Sequence, residues 1–353
     1  MQAFTLQSIL LRPMNYFNHP HTFQLENGSQ LPELTIAYST YGKLNNEKNN
    51  VVWICHALTA NSDVADWWPG VVGGNHIIDP EKYFIVCVNI IGSCYGSTGP
   101  LSKNPTTGEP YYHSFPVITI RDMVNAHILL RKHLGIEKIF LLMGGSMGGY
   151  QAMEWCVMEK DITERLVLLA TSAAESAWGI ATHTAQRLSI EADCTWQNNS
   201  TDAGAKGLKA ARAIGMLTYR NYNIMVQKQS DNDVEKTDDF KASSYINYQG
   251  EKLVKRFNAY SYWLLTKSMD SHNIARGREG NAADILKTIA QPTLIIGIGS
   301  DILCPLVEQQ FLTKYMLNAE LVEIDSDYGH DGFMVENEQI SLHLGKWLKK
   351  FNR

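Results

Sequence analysis

Short apolar runs separated by turn residues recur along the chain, and their spacing predicts strands and helices in alternation. Leu34–Tyr41 alternates loosely between apolar and polar positions and follows Asn27-Gly28, a turn signal. Val51–Cys55 and residues 83–91, 138–143 and 166–170 come next; after a long interval, 292–298 and 320–324 follow. The later runs are continuously apolar, as expected of parallel strands covered by helices on both faces. Thr119-Ile120-Arg121-Asp122 reads as a capping box. It opens a segment with apolar residues at Ile120, Met123, Val124, Ile128, Leu130 and Leu134, closed by Gly135 at a C′ position. Strand and helix alternating in this way predict an α/β fold with a mostly parallel, doubly wound sheet.

The rhythm breaks between about residues 175 and 288. No convincing strand occurs there, residues 206–219 and 253–269 suit helices, and 227–244 are polar. This stretch reads as a helical lid insertion capping the sheet. The expected division is a first core part at 1–174, the insertion at 175–289 and a second core part at 290–353. A single core stops growing near roughly 250–300 residues, so one large domain with an insertion suits this length.

Composition narrows the class. At 44% hydrophobic and 19% charged, the chain is not a disordered protein. Its apolar runs, of which 139–143 is typical, fall far below the roughly 20 residues of a membrane span. The N-terminal patch Ile9-Leu10-Leu11 lacks a preceding basic segment and does not read as a secretory signal, so a cytoplasmic protein is expected. Net charge is −5, from 31 Lys+Arg against 36 Asp+Glu, with no basic stripe, which argues against a nucleic-acid partner. Cys55, Cys87, Cys94, Cys156, Cys194 and Cys304 form no C-x-x-C pair and read as free thiols, not as a metal site or disulfide framework.

The strongest chemical signal is Gly144-Gly145-Ser146-Met147-Gly148-Gly149, between a predicted strand and a helix-compatible run. Gly-x-Ser-x-Gly in that context is a nucleophile elbow: a tight, strained turn exposes the serine hydroxyl at a helix N-terminus. A serine needs a base, and in this arrangement the acid and then the histidine follow it along the chain. His183 and His272 fall in the insertion and His343 in the final helix, which leaves His330, just after the last strand. The acid should follow the preceding strand, which points to Asp301; Asp325 and Asp327 compete but read better as turn residues. The oxyanion hole should combine the amide of Met147 with one from the loop His56-Ala57-Leu58-Thr59, by position that of Leu58. His56 reads as a structural residue of that loop.

With these motifs in place, the chain resembles the homoserine O-acyltransferases, acyl-CoA-dependent enzymes of methionine biosynthesis with an α/β-hydrolase fold. The resemblance rests on 56–59, 89–100, 144–149, Leu217-Thr218-Tyr219-Arg220, Tyr248-Gln249-Gly250-Glu251-Lys252, Ser300-Asp301 and Gly329-His330-Asp331. It implies that Ser146, Asp301 and His330 form the triad and that Arg220 and Asp331 bind the amino-acid substrate. A guanidinium for the carboxylate and a carboxylate for the ammonium suit a zwitterion such as homoserine. It also implies no permanently bound cofactor, an acyl-CoA as co-substrate and a homodimer built through the insertion. The chain departs from the family pattern at Cys304, where a phenylalanine is more usual before the proline, and in a short, polar stretch between Tyr222 and Ser244.

The expected reaction is ping-pong acyl transfer through an acyl-serine, with acetyl as donor group and succinyl as the alternative, and with L-serine open as another acceptor. A serine esterase or thioesterase using the same triad, and a non-catalytic binding protein, are the competing readings.

Overall fold

The computed structural model describes residues 14–351; the stretch before Met14, where no secretory signal is expected, lies outside the described residues. Ten strands are present among these residues: β1 Asn15–His19, β2 Phe23–Gln24, β3 Gln30–Leu31, β4 Leu34–Tyr41, β5 Val51–Cys55, β6 Phe84–Val88, β7 Leu141–Gly145, β8 Leu166–Leu169, β9 Thr293–Ile298 and β10 Ala319–Ile324. Eight of them form one sheet in the order β1-β4-β6-β5-β7-β8-β9-β10, and β2 and β3 make a separate hairpin. β1 and β6 pair antiparallel with β4, and the other neighbours in the large sheet run parallel. After β6 the chain crosses β5 to enter β7, so the order reverses there. The loops leaving β5 and β7 therefore lie side by side, at the switch point where ligands gather in open α/β sheets.

Helices cover both faces: α1 Val64–Trp67, α2 Ile120–His133, α3 Met147–Met158, α4 Ala177–Glu191, α5 Ala205–Tyr219, α6 Tyr222–Gln229, α7 Lys241–Val254, α8 Ala259–Asp270, α9 Ala282–Leu286, α10 Leu306–Tyr315, α11 Gly332–Val335 and α12 Asn337–Leu348. Alternation along β5 divides the core in two. Val51, Trp53 and Cys55 join one apolar cluster with Met123, Val124 and Trp155, while Val52 and Ile54 join another with Trp68, Ile340 and Trp347. The Thr119 capping box opens α2, and Gly135 follows its end with φ 64°.

The sequence reading needs adjustment in several places. The strand expected at 138–143 is shifted to β7, which brings Ser146 directly to its end. The helix-compatible stretch 253–269 holds the end of α7 and most of α8, which Asn258 caps, its side chain accepting from the Ser261 N–H. β10 is an edge strand with half-exposed positions, not one covered on both faces. No helix among the described residues is long and apolar enough to cross a membrane.

α4 to α9 all fall between β8 and β9. The return limb after α8 is fastened by ions. Glu154 of α3, buried, accepts from Arg121 and from both terminal nitrogens of Arg278, while Glu26 pairs with Arg121 and Arg276. Hairpin, α2, α3 and return limb meet in that network.

Candidate active site

Ser146 stands between β7 and α3 with φ 54° and ψ −126°, a conformation that L-residues enter only under strain. The turn is secured from outside: the Ser146 N–H donates to Leu169 C=O at 2.9 Å, and Thr171 Oγ1 donates to Ser146 C=O at 2.9 Å. Gly148 decides how closely the neighbouring loop approaches. A Cβ there would lie 2.1 Å from the Cys55 carbonyl oxygen, so only glycine lets α3 start against the end of β5.

The sequence-predicted side chains converge. His330 Nε2 is 2.8 Å from Ser146 Oγ, and His330 Nδ1 is 2.7 Å from Asp301 Oδ2, although 184 and 29 residues separate the pairs. Asp301 Oδ1 accepts from the backbone N–H groups of Leu303 and Cys304 at 2.8 and 2.9 Å, which fixes the carboxylate plane. Burial pulls the His330 imidazolium down, but Asp301, then Asp331 and Glu175, outweigh it and hold the histidine above its ordinary value. Asp325 and Asp327, the competing acids, lie beside another cleft.

The loop after β5 faces the elbow. Ala60 N–H closes a turn on Ala57 C=O at 3.1 Å; neither Leu58 N–H nor Met147 N–H has an intramolecular acceptor among the described residues. Buried Gln151 ties the two donors' supports together, donating to His56 C=O and Met147 C=O at 3.2 and 3.1 Å. His56 Nε2 accepts from the Ile90 N–H at 3.2 Å, so its proton sits on Nδ1 and goes to Ala57 C=O at 2.8 Å. Burial lowers His56 to about 4, which keeps it neutral and structural, as expected.

Ser146, His330 and Asp331 line a cavity of about 380 Å³ together with Leu58, Asp66, Trp67, Arg212, Tyr219, Lys252 and Arg256. Arg220 does not reach the cavity wall. It ends α5, and its Nη2 pairs with Asp331 Oδ2 at 3.3 Å. The sequence reading missed Arg212, Lys252 and Arg256. Arg212 is seven residues before Tyr219, two turns along one face of α5, but Lys252 lies in the last turn of α7 and Arg256 in the turn after it, so no shared period marked the three as a set. Arg212 and Lys252 have no carboxylate partner among the described residues, and Arg256 donates to Thr59 C=O and Tyr95 Oη. The wall therefore carries positive charge open to an anion.

This fold places the chain among the α/β hydrolases, and residues 50–337 match the family profile described as alpha/beta hydrolase fold. Within that class the chain belongs to the homoserine O-acetyltransferase family. It is 48% identical over 320 residues to the homoserine O-acetyltransferase of Cyclobacterium marinum, covering 91% of each chain. The crystal structure of homoserine O-acetyltransferase from Bacillus anthracis superposes with a TM-score of 0.88 at 25% identity, over 97% of this chain and 98% of that one. An acetylester hydrolase from Corynebacterium glutamicum, at 23% identity, TM-score 0.84 and 96% coverage of both chains, shares the fold.

Proposed function

We propose that this enzyme transfers an acetyl group from acetyl-CoA to the γ-hydroxyl of L-homoserine through an acetyl-serine at Ser146, as a step of methionine biosynthesis in the cytoplasm. The observation that carries the mechanism is the aligned Ser146–His330–Asp301 chain of hydrogen bonds on the cavity wall. Ser146 Oγ attacks the thioester carbonyl and its proton passes to His330 Nε2, with Asp301 stabilising the imidazolium. Charge developing on the carbonyl oxygen falls to the Leu58 and Met147 N–H groups. The carbon–sulfur bond breaks, CoA leaves with the proton from His330, and the acetyl group stays on Ser146. The homoserine hydroxyl then gives its proton to His330, attacks the ester carbon and releases Ser146, which recovers that proton. Two half-reactions sharing one intermediate make the kinetics ping-pong.

Asp331 is the ammonium partner in this reading. Arg212, inside the cavity and without a carboxylate, takes the substrate carboxylate, while Arg220 orients Asp331 through their ion pair. Lys252 and Arg256 supply further positive charge for the donor's phosphates. No permanently bound cofactor takes part. The division at 174/175 and 289/290 and a homodimer through the helical segment belong to the same proposal; exposed Trp178, Leu188, Leu217 and Tyr248 on that segment suit such a contact.

The deciding experiment supplies acetyl-CoA with and without L-homoserine, then succinyl-CoA and L-serine in their places, following thiol release and product mass. Transfer predicts thiol release that depends on homoserine and an acetylated product. Thiol release indifferent to homoserine would assign the site to hydrolysis.

A further inference from the structure

Gln151 takes no part in the proton transfers just described, yet it joins the two backbone stretches that supply the oxyanion donors. It stands on α3 one turn beyond Met147, wholly buried. Its Nε2 donates to His56 C=O at 3.2 Å and to Met147 C=O at 3.1 Å. Both partners only accept, so the NH₂ must face them and Oε1 must point away. There Oε1 meets His127 Nε2 at 2.9 Å, which therefore carries the imidazole proton. Burial lowers His127 to about 4, so its other ring nitrogen is bare; the unpartnered Nδ1 is a lone pair and not a stranded N–H. The ring is itself held, stacked on Trp155 with centroids 5.6 Å apart and edge-on to Trp53 at 5.9 Å.

Each gripped carbonyl is one peptide from a donor. His56 C=O precedes the peptide that ends in Leu58 N–H, and Met147 C=O follows the one that ends in Met147 N–H. Apart from the Gln151 bond, no hydrogen bond among the described residues joins 56–61 to 146–151. Gly148 lets the two stretches approach, but it does not stop them parting. We infer that Gln151 is a positioning residue that sets the spacing of the Leu58 and Met147 N–H groups, with His127 fixing its orientation. This rests on the proposed acyl-serine mechanism. Donors stabilise an oxyanion when they lie about 2.7–3.1 Å from it, and a misplacement of about 1 Å costs about 10²-fold in rate. The strap across the two stretches therefore acts on the transition state and not on the binding of either substrate.

The test uses a small alkyl trifluoromethyl ketone as a probe of the hole. Ser146 Oγ bonds to its carbonyl carbon, the hydroxyl proton passes to His330, and the carbonyl pair becomes an oxyanion facing the two N–H groups. Q151M keeps the side chain's length but donates nothing. Per active site counted with a fluorophosphonate, its inhibition constant for the ketone should rise about 10- to 100-fold and kcat for homoserine acetylation should fall by the same factor, with KM for homoserine within about twofold of wild type. A merely structural role would lower the melting temperature and the number of labelled sites and leave both per-site quantities unmoved. H127F removes the donor to Oε1 and should weaken the ketone about 3- to 10-fold, which also serves if Q151M does not fold; H127Q, able to donate there again, should stay within about twofold of wild type. An unchanged ketone constant in Q151M or, failing its folding, in H127F, a change in KM alone, or an equal shift in H127F and H127Q would overturn the inference. A wild type that binds the ketone but does not acetylate homoserine would strike the proposed function and leave the ketone comparison intact.

Discussion

Replacing Asp301 by asparagine tests the site's hydrogen-bond directions with almost no change of shape. In the native enzyme Oδ1 faces two backbone donors, Leu303 N–H and Cys304 N–H, and Oδ2 accepts the proton on His330 Nδ1. D301N has one oxygen and one NH₂ to offer. Turning the NH₂ towards the loop would set it against both donors at under 3 Å and leave them unpaired, at about 1–3 kcal/mol each. The carboxamide oxygen therefore stays on the loop and the NH₂ meets His330 Nδ1, which must become an acceptor. The imidazole proton is then forced onto Nε2, facing Ser146 Oγ, where it cannot take the hydroxyl proton. Loss of the correct tautomer is worth about 10⁴-fold in turnover, or about 5 kcal/mol of barrier. The assay is pre-steady-state formation of the acetyl-enzyme from acetyl-CoA, with thermal unfolding as the control. A D301N enzyme that unfolds like the wild type and acetylates within tenfold of its rate would refute the reasoning.

S146A should lose both fluorophosphonate labelling and at least about 10⁴-fold of turnover, checked by intact-protein mass and steady-state rate. G148A drives a methyl group into the Cys55 carbonyl, so the loop bearing Leu58 must retreat; turnover should fall about 10²-fold with a lowered melting temperature, measured together on one preparation. R212A should raise KM for homoserine about 10- to 100-fold with a smaller effect on kcat, whereas R220A, by loosening Asp331, should lower kcat as well; the two saturation curves separate the roles. Because His330 must be neutral to act as base and is held above its ordinary 6.5, kcat/KM should fall as pH drops through a midpoint above that value, read from a pH–rate profile.

Much of this architecture is legible in the sequence because buried parallel strands leave unbroken apolar runs. β5 and β9 are nearly as expected, and the Thr119 capping box is a local signal that tertiary packing did not override. β1 escapes such reading: Asn-Tyr-Phe-Asn-His sits on an exposed sheet edge, where neither alternation nor continuity is required. The meeting of Ser146, Asp301 and His330 is foreseeable because each follows a strand of one parallel sheet, and strand ends on that side share a crevice. The cavity's cationic wall is not. Arg212, Lys252 and Arg256 come from α5, α7 and the turn after α7, whose orientation over the sheet depends on helix packing that no local pattern encodes.

The ion cluster around Glu154 bears on how the cap can move. Glu154 lies two turns along the helix that begins at the nucleophile, and freeing the return limb would take Arg278 from its buried carboxylate and leave Arg121 of α2 as its remaining partner. That end of the cap is moored to the catalytic helix and rides with it. The rim that carries Lys252 and Arg256 is tied down as well, by Arg256 donating to Thr59 C=O and Tyr95 Oη of the core.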